Sequence, residues 1–233
     1  MGTAMRGRIP VLALLLVLAT GAVAAAAPAG PPPRHAILVA PTSGSGEAGL
    51  FLAQELAALL RRHLSGLAPA PAAIDTPVLV LEPAAETGGA AAPETLRETY
   101  AALAVLALRV DMVPARTQRP ARRAAATLAA QMVLAPASAL PSRVEVNQLV
   151  ALEGVPALVE LSRLVAPRLG RLAVLAVAGQ GLAPGEGDPE RLRLLQQMLA
   201  QEARASRDDD PDRAALAAMR AAIDAALRPA ATP

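Results

Sequence analysis

His35-Ala36-Ile37-Leu38-Val39-Ala40-Pro41-Thr42-Ser43-Gly44-Ser45-Gly46-Glu47, continued by an amphipathic run to Leu64, is the stretch on which the reading of this chain turns. Ala36 to Ala40 is a short apolar run that meets a Pro- and Gly-containing turn, which reads as a buried strand. Beyond the turn, Leu52, Leu56, Leu59 and Leu60 recur at helical spacing, with Gln54, Arg61 and Arg62 on the opposite side. Ser43 and Ser45 are placed to cap that helix, and Glu47 sits where the helix dipole favours a carboxylate. His63 falls on or near the buried face and reads as a packing residue with one hydrogen bond rather than a ligand. A strand feeding a helix in this way predicts an α/β fold.

Outward from this unit the elements follow in order. Pro77 to Glu82 is apolar on both faces and predicts a second strand inside a covered sheet. Pro93 suits the first turn of a helix to about Ala102. Leu103 to Val113 starts wholly apolar and ends alternating, a strand with Arg109 and Asp111 on its solvated side. Ala124 to Leu134 is either a returning strand or a helix; alanine favours helix, but Pro120 and Pro136 bracket it and favour a hairpin. Val144 to Leu152 carries no clear pattern. Pro156 to Ala166 predicts a helix stopped by Pro167, and Arg171 to Gly179 is a further strand or a short second helix. Asp188-Pro189-Glu190 and Asp210-Pro211-Asp212 each place an acid before proline at a helix start, giving helices to about Ser206 and Leu227 with a solvated hinge between them. The fold class is α/β: a mixed sheet flanked by helices, with a C-terminal helical pair.

Residues 1–27 have the form of a secretory signal. Arg6 and Arg8 precede the apolar Val11 to Leu18, and a small-residue zone runs from Gly21 to Ala27. The apolar part is short for a membrane span, and an uncleaved N-terminal anchor is the competing reading. Residues 28–34 form a Pro-rich linker, 35–180 the α/β domain and 181–233 the helical pair.

Composition excludes several classes of function. Hydrophobic residues make up 54 %, but Phe51 and Tyr100 are the only aromatics, so the core is assembled from many small contacts. All 22 basic residues are arginine, and beyond the leader they balance the 20 acids, which argues against nucleic-acid binding. With no cysteine there is neither a disulfide nor a thiolate metal site. His35 and His63 share no metal-binding spacing, and no metal is expected.

Gly44-Ser45-Gly46-Glu47-Ala48-Gly49 matches the GxGxxG pattern of dinucleotide sites. The leader and the Glu47 charge oppose that reading, and no cofactor is expected. A small anion or carboxylate at Ser43, Gly44, Ser45 and Gly46 is the ligand reading of the same turn. The GxSxG nucleophile spacing fails at Ser45, so no catalytic residue is assigned. Arg116, Arg119, Arg122 and Arg123 cluster in the turn after the third strand, either as a solvated loop or as an interaction surface. Asp208-Asp209-Asp210-Pro211-Asp212 lacks calcium-loop spacing and reads as the solvated hinge.

Ala36 to Gly44 followed by Leu52-Ala53-Gln54-Glu55-Leu56-Ala57-Ala58-Leu59-Leu60 resembles the opening of TolB-like amino-terminal domains, including their curli-secretion (CsgG-like) relatives. Tyr100 to Val113, the Arg-rich turn, and Leu128 to Val133 with Gln131 are similar to the family's charged hairpin. Pro156 to Ala166 resembles its closing helix. The resemblance spans about 35–170. It implies a mixed sheet with packed helices in a non-enzymatic envelope protein that binds other proteins. The expected function is therefore that of an exported accessory or scaffold protein of the bacterial envelope, periplasmic or secreted, whose partners are envelope proteins. The alternative is a small periplasmic solute- or anion-binding protein that uses the Ser43–Gly46 turn. Membrane contact would come only through an uncleaved signal.

Overall fold

The computed structural model describes residues 35–67, 76–81, 92–113, 125–135, 142–152, 154–183 and 187–228. The leader, the linker and the turn carrying Arg116, Arg119, Arg122 and Arg123 lie outside the described residues. β1 (Ile37–Pro41) is buried along its whole length, and a 3-10 turn at Ser43–Ser45 leads into α1 (Gly46–Leu67). β2 (Val78–Val80), α2 (Pro93–Thr99), β3 (Ala104–Val113), β4 (Ala125–Leu134) and β5 (Arg143–Val150) follow. Three helices complete the chain: α3 (Gly154–Gly181), α4 (Pro189–Ala205) and α5 (Arg213–Ala226).

The sheet order is β2-β1-β3-β4-β5. β1 is parallel to both neighbours, with Ile37 opposite Val78 on one side and Ala104 on the other. β3, β4 and β5 form an antiparallel meander in which Ala104 faces Leu134 and Val133 faces Arg143. The sheet is thus mixed, as expected from the sequence. α1 and α3 cover one face, where Leu52, Leu56 and Leu60 join Ile37, Val39, Leu106 and Leu161 in the main core. On the other face α2 lays Leu96 and Tyr100 over Ala36, Leu38, Ala40 and Val105.

Strand pairing overrides alanine's helix propensity in β4. Ala126, Leu128, Ala130 and Met132 alternate inward with period two, while Ala129 faces solvent. β5 alternates in the same way, with Val144, Val146 and Val150 inward; the sequence pattern is blurred by Gln148 at an inward position. β2 corrects the expectation of an interior strand. It has three residues, stands at the sheet edge and keeps Leu79 and Val80 half-buried. Arg61 shields this edge by donating through Nε and Nη2 to the Val78 carbonyl, at 2.9 and 2.6 Å.

Pro167 does not stop the helix that contains it. α3 runs 28 residues straight through it, and Arg171 to Gly179 is helical. An internal proline costs about 3 kcal/mol through the lost amide and the clash with the carbonyl four residues back. Burying Leu169, Leu172 and Leu175 returns about 1.5–3 kcal/mol each, so continuing the helix wins. Pro167 and Arg163 are both exposed, which leaves the weakened turn on the solvent side. Gly154 opens the helix at φ 62°, a conformation that favours glycine. α4 and α5 deliver Leu195, Met198, Leu199, Met219 and Ile223 to the same core as the sheet. Among the described residues, no helix is long and apolar enough to cross a membrane.

Candidate functional site

The glycine-rich turn is held by β3. Thr42 N–H donates to the Leu108 carbonyl at 2.7 Å, extending the parallel ladder one step past β1. Ser45 Oγ takes the next step: it accepts from the Val110 amide at 3.0 Å, lies 3.4 Å from the Leu108 carbonyl oxygen and 3.0 Å from Thr42 Oγ1. The buried Ser45 hydroxyl therefore extends the sheet instead of capping α1, which corrects the capping role read from the sequence. Gly44 and Gly46 are exposed, and Gly46 needs its φ of 53° to turn the chain into α1. Gly49 has a packing reason: a Cβ there would stand 2.2 Å from Ser45 Cβ. His35 is exposed at the foot of β1, its amide bonded to the Ala101 carbonyl.

The acidic run near α5 is only half solvated. Asp208 and Asp209 are exposed, and Asp208 contacts Arg213. Asp210 and Asp212 turn inward, against Arg171 and Arg168 of α3. Asp188 caps α4 as expected, accepting from the Glu190 amide at 3.2 Å. At α5 the N-cap is Asp212, whose own amide donates to Asp210 Oδ1 while its carboxylate is taken by Arg168. Among the described residues, no group of three or more His, Asp or Glu side chains is placed to hold a metal ion.

β5 is the last strand of the sheet, eight residues long, with no strand beyond it among the described residues. Its outward row of Arg143, Glu145, Asn147 and Leu149 continues across Gln131, Ala129 and Thr127 of β4 to Arg109 and Asp111 of β3. These last two, as expected, share the solvated side, with Arg109 Nε 3.2 Å from Asp111 Oδ2. Apolar side chains continue from the end of β5 into α3: Leu149 is 60 % exposed, Leu152 44 % and Val155 57 %. Arg168 Nη1 lies 3.4 Å from the Glu145 carbonyl on this strand.

A second feature lies where the C-terminal turns of α1 and α4 meet the middle of α3. A cleft of about 560 Å³ is lined there by Leu59, Arg62, His63, Gly66, Arg163, Ala166, Pro167, Gln201, Glu202 and Ala205. His63 Nε2 lies 2.9 Å from Oε1 of Glu202, whose side chain is almost wholly buried. The ring nitrogen is itself buried, and its contact with the carboxylate is off the hydrogen-bond axis, so it remains without an aligned acceptor. Glu202 belongs to no motif in the sequence. Its signal is its spacing: Leu192, Leu195, Leu199 and Glu202 follow one another on the buried stripe of α4. No family model matches the chain, and no characterised protein matches it at a significant level.

Proposed function

We propose that this chain is exported and acts in the bacterial envelope as a non-enzymatic accessory or scaffold protein, through protein–protein contact. The observation that carries the reading is the exposed row of Leu149, Leu152 and Val155 running off the terminal strand β5. A long edge strand next to exposed leucines offers backbone and apolar contact together, the combination that strand addition uses. The order strand, helix, strand, short helix and antiparallel hairpin, which the resemblance to TolB-like domains implies, recurs from β1 to β4 and supports the same reading, although β5 is added here before the closing helix. The 1–27 leader is the support for export.

Two measurements on the chain expressed with its leader test this proposal. Cell fractionation should place a shortened species in the periplasm. A photo-crosslinking residue at position 149 or 152 should trap a discrete adduct in intact cells, and the same probe at Arg220 on α5 should not. An unprocessed cytoplasmic chain, or equal crosslinking at all three positions, would refute the proposal.

A further inference from the structure

We infer that the cleft between α1, α3 and α4 is a binding site for a small amphipathic carboxylate. Arg62 and Arg163 would hold the carboxylate, and Leu59, Ala166, Pro167 and Ala205 would cover its apolar body. A volume of about 560 Å³ lies in the range of small-molecule sites.

The charge pattern favours an anionic head group. Arg97, Arg109, Arg143, Arg168, Arg171 and Arg213 each have an acidic partner. The guanidinium groups of Arg62 and Arg163 have no hydrogen-bond or ion-pair partner among the described residues, as is also true of Arg193, Arg204, Arg207, Arg220 and Arg228, but Arg62 and Arg163 stand together on a cleft with apolar walls. Two guanidinium groups on one apolar cleft lack an anion, and a carboxylate matches the guanidinium fork.

A cation is disfavoured because the single acid among the described residues of the cleft, Glu202, is 3 % exposed and stands against His63. The imidazole is held from its other side by Gly170, where a Cβ would approach Cδ2 to 2.7 Å. The ring nitrogen between them is a buried donor position without an aligned acceptor. This site is separate from the Ser43–Gly46 turn, and it does not rest on the envelope role proposed above.

Calorimetry and thermal shift on the full chain, with octanoate as probe and octylamine, octanol and inorganic phosphate as comparators, test the inference. Octanoate should bind and raise the melting temperature, and the three comparators should not. Arg62→Gln and Arg163→Gln change exposed side chains, and each should weaken octanoate binding about ten-fold, the loss expected for a charged hydrogen bond. Amide shifts on titration should centre on Gly66 and Ala205. Equal binding of octanol or octylamine would reduce the cleft to an apolar groove. Equal binding of phosphate would reduce it to a charge pair. Octanoate affinity unchanged in both variants would place the ligand elsewhere. Each of these results overturns the assignment.

Discussion

Arg168 grips Asp212 with two prongs, Nε 3.0 Å from Oδ2 and Nη2 3.5 Å from Oδ1, and so ties the start of α5 to the middle of α3. One helical turn on, Arg171 Nη2 lies 2.5 Å from Asp210 Oδ2, with both side chains largely buried. Breaking a buried pair by removing one partner strands the other charge and costs about 3–5 kcal/mol. Asp210→Ala and Asp212→Ala are each expected to destabilise the fold by about 3 kcal/mol, at the lower end because Arg168 is partly exposed. Asp208→Ala and Asp209→Ala should leave the urea midpoint unchanged. Equal effects at all four positions would mean that the acidic run behaves as one solvated hinge after all.

Ser45→Ala removes the acceptor of the Val110 amide at the point where β1 ends and β3 continues. A buried amide left without a partner costs about 1–3 kcal/mol. The variant should lose that much stability, and its Val110 amide should exchange with solvent faster than in the parent chain. Both are readable by hydrogen exchange.

Pro167→Ala should stabilise the protein. Alanine restores a donor for the Arg163 carbonyl and relieves the ring clash, a gain of up to about 3 kcal/mol. The greater freedom of the unfolded chain takes back about 1 kcal/mol. A net gain of about 1–2 kcal/mol is expected in chemical denaturation. A loss would show that α3 needs the irregularity at this position.

Gly170 and Gly44 should respond differently to alanine. At Gly170 the new methyl meets the imidazole of His63, whereas at Gly44 it meets open space. Gly170→Ala is expected to cost about 1–3 kcal/mol by overpacking and to shift the His63 ring resonances. Gly44→Ala should be near neutral in the same melting experiment. Neutrality of both would mean that the ring moves aside freely.

Local chemistry carried much of this fold in plain view. The β1–α1 unit was legible because an apolar run, a glycine-rich turn and leucines at helical spacing all lie within thirty residues. The β3–β4 hairpin was legible from its bracketing prolines despite the alanine content. The passage of α3 through Pro167, the edge position of β2, the strand β5, the place of the Ser45 hydroxyl in the ladder and the inward turn of Asp210 and Asp212 were not. Each depends on partners far away in the chain, and neither periodicity nor propensity encodes a distant partner. The Arg168–Asp212 pair, for example, joins residues on different helices, and the charges alone do not say which arginine an aspartate will find.

The amino-acid sequence by itself determined the strand and helix periods, the acidic cap of α4 and the mixed α/β class, because these follow from side-chain spacing and backbone preference. Tertiary structure alone decided which charges are buried, where the sheet ends and where a cleft opens. Those outcomes depend on the sum of burial and pairing across the whole chain, and that sum also lets a helix outlast its proline and gives a serine hydroxyl a place in a strand ladder.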